Sequence, residues 1–497
     1  MSNDSQETFL WHDYETYGSL MRPWDWVGSV APRRARPSQF AGIRTTMDLE
    51  EIDDPIEFRC RPCREEPPSI DACLVTGSIP QDYEHEMDEH SFFEKVQRLF
   101  SPRGTCGVGW NSLHYDDTVT RFGFWRNLMP VYAREYSGGN SRWDLLPVFR
   151  LAFATRPAEI EWPVNADGKI SMRLEDLARA NGIDDHDAHD AVGDVRATIA
   201  LARIFRERLP KLWSHALSMR TSDVVEGIIN DMRRPFLIAD KGIGPDRSHA
   251  TVAVTMFGRG KDRIAIDLHG DPKQLLDHSA EEIHRRYFNR EDDEERLPIR
   301  KFRTNQFPMV APVNVLHSDD QWGRLELDKG LCRERADFIE HNRDALSDRL
   351  GEVLGEYPES EDVDSEEALY GGGFINDGAW NAIAQAKSEG AVELKRLEHN
   401  ESDPRVSELL FRFRARHFED SLDERDQSRW QSYLQERLIS PGFSGKPRIM
   451  EGLDRIEELR NDAAKDTRIL DAVRDWTIDL GLRSGVDATA NVELSGE

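Results

Sequence analysis

The chain has 497 residues and a formal net charge of −28, and no apolar run reaches the ~20 residues that a membrane span needs. Residues 1–6 lack the basic and apolar pattern of an export signal. The five cysteines are few and odd in number, which argues against a disulfide framework. We therefore expect a multidomain, reduced, cytoplasmic protein with no membrane partner.

Strand-like and helix-like segments alternate over the first 207 residues, a pattern typical of α/β domains. The predicted strands are 8–14, 42–45, 56–59 and 105–110, and the predicted helices are 91–100, 115–127, 145–154, 174–181 and 191–208. Residues 251–257 and 263–268 predict a β-hairpin. Helices are expected at 280–288 and 332–350, and then at 377–388, 405–417, 427–438 and 453–480.

Two acids close the first predicted strand. Asp13 and Glu15 lie two residues apart, and side chains at this spacing share one face of a strand. Both carboxylates can therefore reach one point, where they would suit a hard divalent cation. A solvated pair of surface acids is the commoner outcome for such a spacing taken alone.

Three further candidates follow in the chain. Asp116 lies near a predicted strand-to-helix junction, where open α/β sheets bind ligands, although it could instead be a helix N-cap. His189 and Asp194 are five residues apart, roughly 140° around an ideal helix, so they cannot both point inward from regular helix. We place His189 on the incoming loop and Asp194 on the helix.

Together these residue types suit hydrolysis of a phosphodiester. Two cations about 3.5–4 Å apart can clamp a scissile phosphate, and several carboxylates are needed to hold them so close. A histidine titrates near neutrality and can accept the proton of the attacking water. The order and setting of all five residues favour this interpretation over a chance collection of surface groups.

The ending His189-x-Ala191-x-x-Asp194 resembles the DEDDh group of 3′→5′ exonucleases in the ribonuclease H-like superfamily. Other stretches, among them His12-Asp13-Tyr14-Glu15-Thr16 and Ser141-Arg142-Trp143-Asp144-Leu145-Leu146, resemble the bacterial exodeoxyribonuclease I family, and the resemblance covers nearly the whole chain. It implies that two Mg²⁺ ions, for which Mn²⁺ can substitute, are held by Asp13, Glu15, Asp116 and Asp194, with His189 as general base. It also implies substrate contacts from Glu15, Thr16 and Arg173 at the terminal nucleotide and from Arg121, Tyr132 and Arg150 along the strand.

The resemblance further implies three domains: a ribonuclease H-like exonuclease domain (1–207), an SH3-like barrel with added helices (208–354) and an all-helical C-terminal domain (368–483). We expect a solvated acidic linker at 355–367, rich in Glu, Asp, Ser and Pro, and a disordered tail at 484–497. Residues 18–35 form an apparent insertion near the site entrance. Cys60 and Cys63 could begin a zinc site with Cys73 and His85, but no second pair follows.

The net charge conflicts with binding a polyanion unless cations are concentrated locally. Arginine clusters could provide this, at Arg121 and Arg126, at Arg142 and Arg150, and at Arg412, Arg414 and Arg416. The last three form either a solvated helix face or a strand-binding surface. With only twelve lysines, the acidic composition suggests a salt-tolerant source, or simply a GC-rich genome.

The predicted function is 3′→5′ degradation of single-stranded DNA to 5′-mononucleotides, in DNA repair or recombination. The alternatives are RNA trimming or proofreading by the same site, and a single-strand-binding scaffold with a dead site. We expect a monomer whose partners are single-stranded DNA and, as the family implies, the acidic C-terminal tail of single-stranded-DNA-binding protein.

Overall fold

The computed structural model describes residues 7–18, 31–166, 168–183, 191–230, 234–240, 249–290, 294–354, 363–440, 445–462 and 464–487. Within these ranges no helix is both long enough and apolar enough to cross a membrane. Strands are confined to the first two thirds of the chain, and the last third is helical. The predicted class, an α/β domain followed by a barrel domain and a helical domain, is confirmed.

The first domain is a mixed sheet with helices on both faces. Its strands are β1 (Thr8–Thr16), β2 (Pro37–Thr46), β3 (Ile56–Arg59), β4 (Thr105–Gly109) and β5 (Ser141–Asp144). Its helices are α1 (Ala31–Arg34), α2 (Ile70–Thr76), α3 (Glu89–Phe100), α4 (Asp116–Arg126), α5 (Ala133–Tyr136), α6 (Leu145–Thr155), α7 (Leu174–Ala180) and α8 (Ala191–Arg208). The strand order is β3-β2-β1-β4-β5, with β1 antiparallel to β2 and parallel to β4.

Alternation along β1 decides which of its residues meet which helix. Phe9 and Trp11 are fully buried in one core with residues of α8, whereas Leu10 and Tyr14 belong to a second core with residues of α3 and α4. Since the period of a strand is two, Asp13 and Glu15 continue the face of Phe9 and Trp11. The end of β1 therefore presents its acids on the side that α8 covers.

The second domain is a five-stranded antiparallel sheet flanked by helices. Its strands, in the order β10-β6-β7-β8-β9, are β6 (Phe236–Ala239), β7 (Ala250–Arg259), β8 (Asp262–Asp267), β9 (Ile299–Arg303) and β10 (Met309–Pro312). Its helices are α9 (Pro210–Ser218), α10 (Ser222–Ile229), α11 (Gln274–Asp277), α12 (Ala280–Phe288), α13 (Asp319–Arg324), α14 (Lys329–His341) and α15 (Arg343–Leu354). The predicted hairpin is confirmed as β7 and β8.

The third domain consists of helices α16 (Asp377–Glu389), α17 (Ala391–Asn400), α18 (Pro404–His417), α19 (Glu424–Ile439), α20 (Arg448–Arg460) and α21 (Thr467–Arg483). Two predictions of single long helices are wrong. Residues 332–350 are divided between α14 and α15, which meet at the non-helical Asn342, and residues 453–480 are divided between α20 and α21, the second capped by Asp466.

The prediction of a solvated linker is wrong for the part of it that the structure describes. Glu366 and Glu367 are 2% and 6% exposed, and Glu366 forms ion pairs with Arg36 and Arg416. Burial of these acids is tolerated because each faces arginines of two other segments. Residues 355–362 lie outside the described residues.

Of the predicted disordered tail, Ser484 is buried and its carbonyl oxygen accepts a hydrogen bond from Gln431 Nε2 at 2.7 Å. That first residue is therefore ordered against α19, contrary to the prediction. Residues 488–497 lie outside the described residues.

Candidate active site

Three of the predicted metal ligands meet at one point. Asp13 and Glu15 at the end of β1 and Asp194 in the first turn of α8 each offer a carboxylate oxygen, and these oxygens all lie within 4.8 Å of one another. The strand supplies two ligands at period two, and packing of α8 on β1 supplies the third. Asp13 and Asp194, which are 181 positions apart in the chain, thus lie in one cluster.

Asp116 lies beside this cluster as the first residue of α4. It is 3% exposed, and its Oδ1 accepts no hydrogen bond from the described residues. The N-cap of α4 is Tyr115, so the alternative in which Asp116 merely caps the helix is wrong. Its charge is close enough to Asp13 to raise the pKa of that carboxyl.

Mutual repulsion and burial of the carboxylates in this cluster would be relieved by a bound cation. Burial, together with the charges of Asp116 and Asp194, raises the pKa of Asp13 well above its usual value. Burial likewise raises the pKa of Asp116. Crowded carboxylates with an oxygen-only donor set and an unsatisfied buried oxygen fit hard divalent cations such as Mg²⁺, which would offset both the repulsion and the desolvation.

The turn between β4 and α4 is held by Asp144, a residue that sequence reasoning did not single out. Its Oδ1 accepts from the backbone nitrogens of Asn111 and Leu146 at 2.9 and 3.0 Å, and its Oδ2 accepts from Leu113 at 3.2 Å. Burial raises the pKa of Asp144 to about 6. Its position at the end of the short strand β5, as the N-cap of α6, was the available signal, and β5 itself was not predicted.

Two residues that the family resemblance assigns to the terminal nucleotide, Thr16 and Arg173, lie on different elements. Thr16 Oγ1 is hydrogen-bonded to the Tyr115 hydroxyl at 2.8 Å, which ties the end of β1 to the start of α4. Arg173 precedes α7 with a side chain 78% exposed, 3.9 Å from Glu175. His189, the predicted general base, lies outside the described residues, as do residues 19–30 of the predicted insertion.

The three residues that the family resemblance assigns to the DNA strand lie in two separate places. The Arg121 guanidinium lies 5.5 Å from the centre of the Tyr132 ring. Arg150, on α6, is 6% exposed, 4.0 Å from Asp240, and its Nε finds no partner among the described residues. Burial lowers the pKa of Arg150. A buried arginine with an unsatisfied donor is suited to an anionic ligand.

Most of the arginines predicted to supply local positive charge are paired with acids, and Arg121 is among them through Glu135. Arg126 pairs with Glu89, and Arg142 pairs with Asp117. On α18, Arg412 and Arg414 are buried and Arg416 is partly buried, and the three pair with Asp364, Glu366, Glu398, Asp426, Glu65 and Glu408. Sequence could not show this, because the partners are mostly distant in the chain.

Cys60 and Cys63 also have local partners. Their sulfurs donate to the carbonyls of Arg61 and Glu66 at 3.5 and 3.7 Å. In the part of the chain that the structure describes, which includes Cys73 and His85, the acid cluster is the group with metal-binding geometry.

A mixed sheet whose central strand ends in two acids, with a third acid on the crossing helix, defines a metal-dependent nuclease domain of the ribonuclease H-like type. Comparison with known proteins identifies the family of this nuclease domain more narrowly. Family profiles described as Exonuclease, Exonuclease I SH3-like domain and Exonuclease I C-terminal domain match residues 10–202, 220–356 and 362–480.

Individual relatives cover nearly the whole chain. Exodeoxyribonuclease I of Haemophilus influenzae is 32% identical over 483 residues, covering 95% of this chain and 98% of the relative. The structure of Escherichia coli exonuclease I in complex with a dA16 oligonucleotide matches with a TM-score of 0.86 at 29% identity, over 96% of this chain and all of that one. A structure of SSB/exonuclease I in complex with an inhibitor matches at 0.83 and 30% identity, over the same shares of both chains. The chain belongs to the exodeoxyribonuclease I family.

Proposed function

We propose that this protein hydrolyses single-stranded DNA from the 3′ end and releases 5′-mononucleotides, in DNA repair or recombination. The observation that carries the proposal is the acid cluster, in which oxygens of Asp13, Glu15 and Asp194 lie within 4.8 Å beside the unsatisfied Oδ1 of Asp116. Family membership supports the substrate, since a relative of the same fold is described in complex with an oligonucleotide.

The proposed cofactor is a pair of Mg²⁺ ions, with Mn²⁺ able to substitute. When bound, such a pair supplies an activated water and charge neutralisation at the scissile phosphate. Asp13, Glu15, Asp116 and Asp194 would hold the pair, and Asp144 keeps Asp116 in place through the β4–α4 turn. His189 is proposed to accept the proton of the attacking water.

Substrate contacts are proposed at two places. Glu15, Thr16 and Arg173 would contact the terminal nucleotide, where the exposed guanidinium of Arg173 can reach a phosphate. Arg121, Tyr132 and Arg150 would follow the strand; a cation over an aromatic ring offers both a phosphate partner and a stacking face.

Domain limits, location and partners are proposals as well. The limits 1–207, 208–354 and 368–483 are supported by the three profile matches. The few, unpaired cysteines support the proposed cytoplasmic location, and a monomer is proposed as well. The related SSB/exonuclease I structure supports single-stranded-DNA-binding protein as a partner, through its acidic tail.

A substrate panel tests the function. Labelled single-stranded DNA, duplex DNA and RNA, each with the 3′ or the 5′ end blocked, are incubated with Mg²⁺. We expect mononucleotide release from single-stranded DNA with a free 3′ end, and its loss in Asp13→Asn but not in the matched exposed control Asp475→Asn, whose side chain is 72% exposed. Preferential cleavage of RNA would favour the RNA-trimming alternative, and equal rates in the wild type and Asp13→Asn would exclude the enzyme.

A further inference from the structure

Glu135, on the short helix α5, holds the arginine that is proposed to contact the strand. Its Oε1 accepts from Arg121 Nε at 2.7 Å, and its Oε2 accepts from Arg121 Nη2 at 2.8 Å. Arg142 Nη2 lies 3.0 Å from the same Oε2. The Glu135 side chain is 8% exposed, so these are charge-assisted contacts in a site with little water.

Glu135 belongs to a buried set of alternating charges. Arg134 and Arg142 both bind Asp117, Arg142 continues to Glu135, and Glu135 continues to Arg121. Three cations therefore share two anions. Burial opposes ionisation of Glu135, but Arg142 and Arg121 together lower the pKa of this carboxyl below its usual value, so it is charged at neutral pH.

This arrangement fixes the direction of Arg121 and offsets its positive charge with the carboxylate of Glu135. Glu135 occupies Nε and Nη2 in a fork, which leaves the Nη1 edge, 3.5 Å from the Tyr370 hydroxyl, directed away from the carboxylate. The guanidinium is thereby kept over the Tyr132 ring. A phosphate that met this edge would gain an oriented hydrogen bond, while the adjacent carboxylate would cancel most of the Coulomb attraction at longer range.

We propose that Glu135 is a positioning residue for strand binding, which orients Arg121 and Tyr132 and makes their contact with the strand weakly dependent on salt. The inference rests on the proposed strand contact of Arg121. Binding of a single strand weakens with salt because each phosphate neutralised releases counterions, with a slope near −0.7 per neutralised phosphate. An arginine already paired with a carboxylate contributes less than this value.

The experiment measures the affinity of the full chain for a dT16 oligonucleotide, with EDTA present to prevent cleavage, over a series of KCl concentrations. For Glu135→Gln we expect tighter binding at low salt and a slope of log K against log [KCl] steeper by about 0.7, because the positive charge of Arg121 is no longer offset by a carboxylate. The matched control is Glu281→Gln, an exposed acid of α12, which removes the same charge elsewhere. A slope for Glu135→Gln equal to that of the control would overturn the inference.

A second variant decides the matter if Glu135→Gln does not fold. Arg121→Gln leaves Glu135 in place, and we expect it to weaken binding at every salt concentration while changing the slope by clearly less than 0.7. If the slope of log K against log [KCl] became shallower by the full 0.7, Arg121 would act as an unpaired cation, and this result would overturn the inference. Unchanged binding in Arg121→Gln would instead refute the proposed strand contact of Arg121, so the two failures can be told apart.

Discussion

Glu366 offers the sharpest test of how the C-terminal domain is held on the exonuclease domain. It accepts from Arg36 Nη2 at 2.9 Å, pairs with Arg416 of α18, and lies 3.4 Å from the Tyr433 hydroxyl of α19. Arg36 immediately precedes β2, so this single carboxylate joins segments 330 positions apart. We consider the change Glu366→Gln, which keeps the size of the side chain and removes the charge.

The magnitude follows from what remains buried after the change. Removing one partner of a buried ion pair costs about 3–5 kcal/mol, because the other charge is left uncompensated. Arg36 keeps a contact with Glu89 at 2.7 Å and Arg416 keeps one with Glu65, so we expect the lower end of this range. About 3 kcal/mol corresponds to roughly a hundredfold shift in the equilibrium that releases the C-terminal domain.

The assay is urea unfolding followed by tryptophan fluorescence, with limited proteolysis of the released domain as a second measurement. The matched control is Glu419→Gln, whose ion pair with Arg64 is 3.4 Å long and exposed on both sides. Such surface pairs contribute about 0–1 kcal/mol. The midpoint of interest is that of the first urea transition, in which the C-terminal domain is released. If Glu366→Gln lowers this midpoint no more than Glu419→Gln does, Glu366 does not hold the two domains together.

Two further predictions concern packing and acid stability. In Gly123→Ala the new Cβ would lie 2.0 Å from the Phe93 ring, so we expect the free energy of unfolding in urea to fall by at least about 1–3 kcal/mol. The control is Gly227→Ala, which has no atom within 4 Å of the new Cβ and should be neutral or stabilising by up to about 1 kcal/mol. Equal urea midpoints in the two variants would contradict this prediction. Burial alone would raise the pKa of Glu65, but Arg416 and Arg36 lower this pKa to about 2, below the unfolded value of roughly 4.3. The ionised Glu65 therefore stabilises the fold fully above the unfolded pKa, and this stabilisation is lost as the pH falls towards 2. The difference in urea midpoint between the wild type and Glu65→Gln should therefore shrink over that acid range, and a constant difference would count against the ion pair.

The acid cluster could be predicted because its signals are local. Asp13 and Glu15 share a strand face by period alone, and Asp194 follows from the apolar stripe of α8. The structure places all three within 4.8 Å, as the spacing implied. Asp116 was similarly marked by the junction between an apolar strand and a helix.

The ion pairing of the arginines could not be predicted, because it depends on residues far apart in the sequence. Arg412 and Arg416 belong to an alternating basic row that is typical of an exposed or DNA-binding helix, yet both are paired with acids. Their partners include the predicted solvated linker. A composition rich in Glu and Asp describes a solvated segment and a buried set of ion-pair partners equally well.

Short elements were the other source of error. Strands β5, β6 and β10 have four residues each, too few for periodicity to show. They are specified by pairing with neighbouring strands, which is a property of the tertiary structure. The break within residues 332–350 is a single non-helical residue, Asn342, and the break within residues 453–480 ends at the N-cap Asp466.

The central claim is that Asp13, Glu15, Asp116 and Asp194 hold a pair of divalent cations, and an anomalous diffraction map of crystals soaked in Mn²⁺ tests it most directly. We expect two peaks about 3.5–4 Å apart among these carboxylates. Absence of any peak at these residues, in crystals whose dissolved enzyme cleaves single-stranded DNA with Mn²⁺, would contradict the assignment of the site.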